Sequence, residues 1–354
     1  MSLNLINSYM KFASGGAAGA PFYEILAQTK LTGTSDTIEC SFTAKENLLV
    51  LCDVFGADTN NRFNFNDDFS STENNYNRRY SANFGASTSN INQDKFATNY
   101  DMNPCFNYLF IENASGQEKI FNGGTCETNQ VTGNTAAFCM EYVGKWVKTD
   151  QINKVTATNT GSGSYAIGSE LIVMGYDNDG ASGDTGWEEL KITTVTGSPT
   201  DNINSGAFTA KRYLLVVIHC FASGTGGISG ADLKFNSTAS GYNRRYSTNF
   251  AAGATGTSEA ALGGAGTASG TTGDTIFGVW LISNNDGAEK LCIGDYNYTT
   301  PSASDSPNSR QIAGKWTGTD QITNIEVINN GGGSFDVGST VKIFGFTGLI
   351  WFGK

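Results

Sequence analysis

Residues 144–176 read GKWVKTDQINKVTATNTGSGSYAIGSELIVMGY, and residues 314–346 read GKWTGTDQITNIEVINNGGGSFDVGSTVKIFGF. The two 33-residue blocks align without a gap at a constant offset of 170 and share 14 identities. That offset lies far beyond the period of roughly 20–50 residues that marks solenoids and propellers. It is the size of a whole domain, so the chain reads as one fold written twice.

Working outward, the match extends through both halves. Phe-Thr-Ala-Lys at 42–45, before the apolar run 48–51, recurs at 208–211 before the run 214–218. Asn-Arg-Arg-Tyr-Ser at 77–81 recurs unchanged at 243–247, and an Asn-Phe pair follows each one residue later. Glu118-Lys119 is matched by Glu289-Lys290, and the opening Tyr23-Glu24-Ile25-Leu26 by Trp187-Glu188-Glu189-Leu190. These matches place repeat 1 at 21–176 and repeat 2 at 187–346, joined by the polar, Gly-rich linker 177–186 (DNDGASGDTG). Such a stretch has the composition of a domain boundary. An N-terminal arm, 1–20, and a C-terminal tail, 347–354 (TGLIWFGK), flank the pair.

Two halves of this size can each build a core. Charged residues make up 16% of the 354, and Gly alone supplies 44. Abundant Ser, Thr, Asn and Gly weaken helices, because their side chains or backbone freedom compete with helical hydrogen bonding. Short strands and many turns are expected instead. A net charge of −11 argues against nucleic acid, since phosphate neutralisation needs a basic surface. No stretch reaches the roughly 18–20 apolar residues of a membrane span, so no membrane partner is expected. Asn7, Ser8 and Lys11 interrupt the N-terminal apolar section, which does not fit a signal peptide and reads as an arm for a neighbouring subunit. Seven cysteines without a CxxC, and the single histidine His219, carry no zinc or disulfide signature, and reduced, packed thiols are expected.

Unbroken apolar runs at 48–51 and 213–221 read as central strands, as do 106–112 and 277–283. Alternation marks 152–157, 322–327, 170–176 and 340–346. About eight strands per repeat predict an all-β chain of two tandem homologous antiparallel β-sandwich domains, jelly-roll-like. The turns at 161–168 and 331–338 place an aromatic and a branched residue between glycines, and Tyr165 and Phe335 are expected to be buried as pins.

Among candidate contacts, Arg78-Arg79-Tyr80 and Arg244-Arg245-Tyr246 could grip a carboxylate or an anionic sugar, because guanidinium binds such groups bidentately. Strand neighbours face opposite sides, so the paired arginines should diverge, one of them entering an ion pair or crossing to the other sheet. Trp146 and Trp316 read as core anchors at a strand start, or as platforms for stacking on a sugar. Trp351 and Phe352 in the tail read as anchors into a partner. Asp177-Asn178-Asp179-Gly180 with Asp184 resembles part of a calcium loop but lacks the downstream bidentate glutamate. His219 has no counterpart and reads as a core or edge histidine. Asp67, Asp68 and Glu73 lie in an Asn-rich loop taken to be absent from repeat 2. No nucleophile–base–acid set emerges, so no catalytic residue, metal or cofactor is expected.

Taken together, the aromatic-Glu opening, Asp-x-Ile, Phe-Thr-Ala-Lys, Tyr-x-Arg-Arg-Tyr-Ser and the closing Gly-Lys-Trp block resemble β-sandwich modules of structural proteins from tailed bacteriophages, marine ones especially. The resemblance covers both repeats. It implies a virion location, with assembly in the host cytoplasm and other virion proteins of the capsid or tail as partners. The function it implies is a non-enzymatic capsid decoration, cement or outer capsid protein, homo-oligomeric and on that precedent a trimer. A tail-fibre protein recognising host glycans, and a major capsid protein with two jelly rolls, are the alternatives.

Overall fold

The computed structural model describes residues 23–56, 60–69, 75–93, 96–97, 104–128, 135–177, 187–223, 228, 230–249, 251–263, 275–298 and 308–347. Among these residues the chain is all-β: every sheet is antiparallel and no helix occurs. It divides into two compact units, one formed by residues 23–128 and 138–177, the other by 135–137 and 187–347.

The first unit contains β1 (Glu24–Lys30), β2 (Thr37–Ser41), β3 (Asn47–Val54), β4 (Asn61–Phe65), β5 (Tyr76–Ala82), β6 (Ser87–Gln93), β7 (Phe96–Ala97), β8 (Cys105–Glu112), β9 (Lys119–Glu127), β10 (Phe138–Trp146), β11 (Lys154–Asn159) and β12 (Glu170–Tyr176). The second contains β13 (Glu188–Thr194), β14 (Asn202–Asn204), β15 (Tyr213–Ser223), β16 (Asp232–Phe235), β17 (Tyr242–Thr248), β18 (Ala254–Glu259), β19 (Thr275–Ser283), β20 (Lys290–Tyr298), β21 (Asn308–Trp316), β22 (Ile325–Ile328), β23 (Ser334–Phe335) and β24 (Thr340–Phe346).

In the first unit a large sheet runs β1-β12-β3-β8-β9-β10-β5-β6, and a small one runs β2-β11-β4-β7. The hairpins β5–β6 and β9–β10 are additions. Without them, the remaining eight strands in chain order pair as 1-8-3-6 and 2-7-4-5, the strand order of a jelly roll. The second unit repeats it as β13-β24-β15-β19-β20-β21-β17-β18 and β14-β22-β16, with β23 joined to β15. There, a bridge from Leu233 to Leu262 replaces β7. Each unit thus has twelve strands among the described residues, against about eight expected, and the two added hairpins, which widen the large sheet, account for the excess in the first unit.

Each unit has its own core between its sheets. Leu48, Val50, Cys52 and Val54 meet Phe63 and Phe65 in the first, and Leu214, Val216 and Ile218 meet Leu233 and Phe235 in the second. Strands β3 and β8 are buried on both faces, which explains their unbroken apolar runs. β12 is buried on both faces too, so ELIVMGY is not the alternating strand expected; its copy β24 does alternate. β11 and β22 begin two to three residues later than the alternation predicts. The Asp-Gln-Ile ahead of each is held by side chains instead of by a ladder: Asn66 Nδ2 donates to Gln151 O and Asn236 Nδ2 to Gln321 O, while Asn113 Oδ1 accepts Ile152 N–H and Asn284 Oδ1 accepts Ile322 N–H.

Tyr165 and Phe335 are fully buried, as expected of pins. The turns they close need glycine, since φ is 90° at Gly168 and 93° at Gly338. No atom lies within 4 Å of a Cβ built at Gly168, so a Cβ there meets backbone strain and no clash. Gly168→Val is therefore expected to lower the urea midpoint by an amount worth about 1–3 kcal/mol, the usual cost of this φ for a β-branched residue. An unchanged midpoint would refute the strain argument.

Candidate functional site

The duplicated motifs meet in space within each unit. On β9 and β10, Lys119 faces Trp146 across the ladder; on β20 and β21, Lys290 faces Trp316. Both lysines are fully buried. Lys119 Nζ donates to the carbonyls of Ala114, Gln117 and Thr149, and Lys290 Nζ to those of Asn285, Ala288 and Thr319. An ammonium has three N–H donors, and each of these finds a backbone acceptor. Burial pulls Lys290 down to about 8 and Lys119 below its ordinary value. The preceding glutamates close the motif from outside: Glu118 pairs with Lys145 at 2.8 Å and Glu289 with Lys315 at 3.1 Å. Glu-Lys and Gly-Lys-Trp are thus two halves of one lock between adjacent strands.

The other shared motifs also have structural work. Lys45 of the first Phe-Thr-Ala-Lys pairs with Glu24 at 2.9 Å, and Lys211 of the second pairs with Glu188. Hydrogen bonds that Lys45 donates to Glu24 and Asp177 raise its pKa. Asp177 also takes the Glu46 N–H, so this first residue of the expected linker is tied into the fold. Its carboxylate is thereby occupied, and Asn178, Asp179, Gly180 and Asp184 of the calcium-loop reading lie outside the described residues. Buried Asn113 donates to the carbonyls of Lys45 and Ile152 and accepts Ile152 N–H; Asn284 does the same with Lys211 and Ile322.

Trp146 and Trp316 are 2% and 5% exposed. Each indole stacks on a tyrosine, Tyr76 at 6.5 Å and Tyr242 at 6.3 Å, with a phenylalanine edge-on, Phe65 or Phe235. The rings are core anchors, and the sugar-platform reading is corrected, because no face is open for stacking. Trp146 Nε1 donates to Asp68 at 2.6 Å, and Asn75 donates to the same carboxylate. The turn at 66–68 is not peculiar to repeat 1: positive φ recurs at Asn66, Asp67, Asn236 and Ser237.

The arginine pairs diverge. Arg78 lies 4.4 Å over the Tyr80 ring, and Arg79 is exposed on the other face. Arg244 lies 4.8 Å over Tyr246, whose ring is shared with Arg310 at 4.8 Å. Its Nε is 2.8 Å from Glu259 Oε2, and its Nη2 donates to Oε1. Arg245 Nε donates to the Ala137 carbonyl at 3.3 Å. Arg244 and Glu259 line a cavity of ≈ 280 Å³ with Asp232, Lys234 and Asn330. Trp351 and Phe352 lie outside the described residues. His219 sits on central β15 but is exposed, beside Phe221 at 4.6 Å, so it is neither a core nor an edge histidine. All seven cysteines are buried.

Asp295 on β20, missed by the sequence reading, is 7% exposed, and burial pushes its carboxyl up to about 7. An unfolded aspartate titrates near 3.9, so between about pH 4 and 7 the folded state holds more protons. Its contribution to stability is therefore fullest below about pH 4 and is lost as pH rises through about 7. The stability gain from Asp295→Asn, read from urea midpoints, should be larger at pH 7.5 than at pH 4.5. A pH-independent difference would contradict this.

No family model matches the chain, and no curated protein matches it. Among solved structures, human GIVD cytosolic phospholipase A2 matches at 10% identity over 77% of this chain and 33% of that one, with a TM-score of 0.14. The same enzyme in complex with methyl gamma-linolenyl fluorophosphonate matches at 9% identity over the same shares, also at 0.14. This chain spans about a third of that protein's length. A likeness at that score carries no argument about activity.

Proposed function

We propose that this chain is a non-enzymatic virion building block of a bacteriophage, acting at the capsid surface as a decoration, cement or outer capsid protein. The observation that carries this reading is the use of the duplicated motifs. Each pair closes the same turn, lock or core position in both units, so the duplication multiplies a scaffold and not a reactive centre. Among the described residues, an exposed aliphatic turn tip occurs in both units, Ile167 at 65% and Val337 at 48%, which suits lateral contacts. Gel densitometry of purified particles tests the reading: a copy number in fixed proportion to the shell subunit supports it, and absence from the particle overturns it. Deleting residues 347–354, with Trp351 and Phe352, is expected to abolish particle binding; retained binding would remove the tail from the account.

A second reading, host-glycan recognition by a tail or fibre protein, is favoured by the cavity at Arg244. Asp232, Lys234, Glu259 and Asn330 there offer both the donors and the acceptors that sugar hydroxyls use. A glycan array with binding lost in Asp232→Ala would support it, and a copy number tied to the tail would agree. A shell built of two jelly rolls would instead make this the most abundant protein of the head.

A further inference from the structure

Both units end their edge strand beside the same turn, yet the two corners differ in charge. In the first, Lys30 closes β1 and the turn reads Ala166-Ile167-Gly168; in the second, Thr194 closes β13 and the turn reads Asp336-Val337-Gly338. Among the described residues β1 has a ladder partner, β12, on one side only. A groove of ≈ 770 Å³ opens beside it, lined by Thr29, Lys30, Leu31, Thr32 and Ile167. Lys30 is exposed and has no ion partner among the described residues. The acidic turn is held ready: Phe335 is fully buried behind it, Asp336 N–H donates to Phe221 O at 2.8 Å, and Asp336 Oδ1 accepts Val337 N–H at 2.8 Å. Val337 projects from this fixed base, and a preorganised tip loses little freedom on docking.

We propose that copies of this chain join head to tail, with the Asp336-Val337-Gly338 turn of one copy seated in the β1 groove of another. Val337 packs against Leu31 and Ile167, and the Asp336 carboxylate pairs with Lys30. Charge disfavours contacts between like corners, which would set Lys30 against Lys30 or Asp336 against Asp336. Such a heterologous contact propagates into a row or closes into a ring. The contact is small, so a single pair of copies binds weakly, and an array gains by multivalency. This deepens the reading of the chain as a building block and rests on it.

The test uses the purified full chain alone. Sedimentation should show concentration-dependent self-association, and zero-length carbodiimide coupling of a mixed ¹⁴N/¹⁵N sample should give Lys30–Asp336 links of mixed isotope. Lys30→Glu and Asp336→Lys should each weaken association by roughly tenfold, and the double variant should recover most of it. Asp336→Asn keeps an acceptor for Val337 N–H while removing the charge, so its weakening separates charge from turn geometry. A chain that stays monomeric, links of unmixed isotope only, or a double variant no better than the singles would overturn the proposal. Particle binding by the same sample would survive that failure, so the two readings fall separately.

Discussion

Lys290→Met should destabilise the second unit by about 1–3 kcal/mol, the usual loss when a buried acceptor is left without its donor. Methionine fills the space of the methylene stem but donates nothing to the carbonyls of Asn285, Ala288 and Thr319. The buried Asn285 carbonyl and the half-buried Ala288 carbonyl would then lose this donor, at about 1–3 kcal/mol for a buried bond left unmade, while the Thr319 carbonyl keeps the Gly287 N–H. Lys119→Met should do the same in the first unit, through Ala114, Gln117 and Thr149. Arginine should not rescue either site, since a planar fork cannot present three N–H groups to one converging set of carbonyls. Urea denaturation gives the magnitude, and hydrogen exchange locates it in the unit that carries the substitution. The outer glutamates serve as controls. Glu118→Gln breaks a pair whose side chains are 43% and 48% exposed, and it should cost under about 1 kcal/mol. Glu289→Gln should cost more, because its partner Lys315 is 1% exposed. A lysine variant as stable as the parent would show that the three contacts are not what holds the turn.

Much of the fold was legible because duplication marks every position the scaffold needs. The closing block defined β12 and β24 to the residue, and the buried aromatics of both turns could be named from their glycine brackets. Roles within the motifs were harder to read. Glu-Lys and Gly-Lys-Trp lie some 26 residues apart in sequence, and only the β9–β10 and β20–β21 ladders bring them together. The glycine of Gly-Lys-Trp has a tertiary cause as well: a Cβ at Gly144 would lie 2.4 Å from the Phe121 ring, and one at Gly314 2.6 Å from Leu262. Asn113 and Asn284 were passed over because a lone Asn in a polar turn is common. The usable signal was their matched place directly after β8 and β19.

What the copies do not share is equally ordered. The core positions of β3 and β15 correspond, while the outward positions diverge. Asp53 faces Glu170 across the first ladder, both of them 1% exposed, whereas His219 faces Thr340 in the second and is exposed. Conserved interiors with divergent outer faces are what two copies of a scaffold show when each has acquired its own surroundings. Composition could not reveal this, because it turns on which face each side chain takes.

The tryptophans give the second large effect, and they decide how a glycan assay can be read. Trp316→Ala should cost about 3–5 kcal/mol, the range for deleting a large buried aromatic with incomplete collapse of the cavity. Trp146→Ala should cost at least as much, since it also removes the indole donor from Asp68. Phenylalanine separates the two contributions. Trp316→Phe keeps an aromatic ring against Tyr242 and Phe235 and should lose less than the alanine variant. Trp146→Phe should lose about 1–2 kcal/mol more than Trp316→Phe, the price of one charge-assisted hydrogen bond. Urea titration of the four variants provides the comparison. Loss of sugar binding in an alanine variant would then report unfolding, because the indole faces are covered; the phenylalanine variants, per folded molecule, should bind any ligand as the parent does. An alanine variant within about 0.5 kcal/mol of the parent would mean that the indole is not an anchor, and the stacking role would have to be reopened.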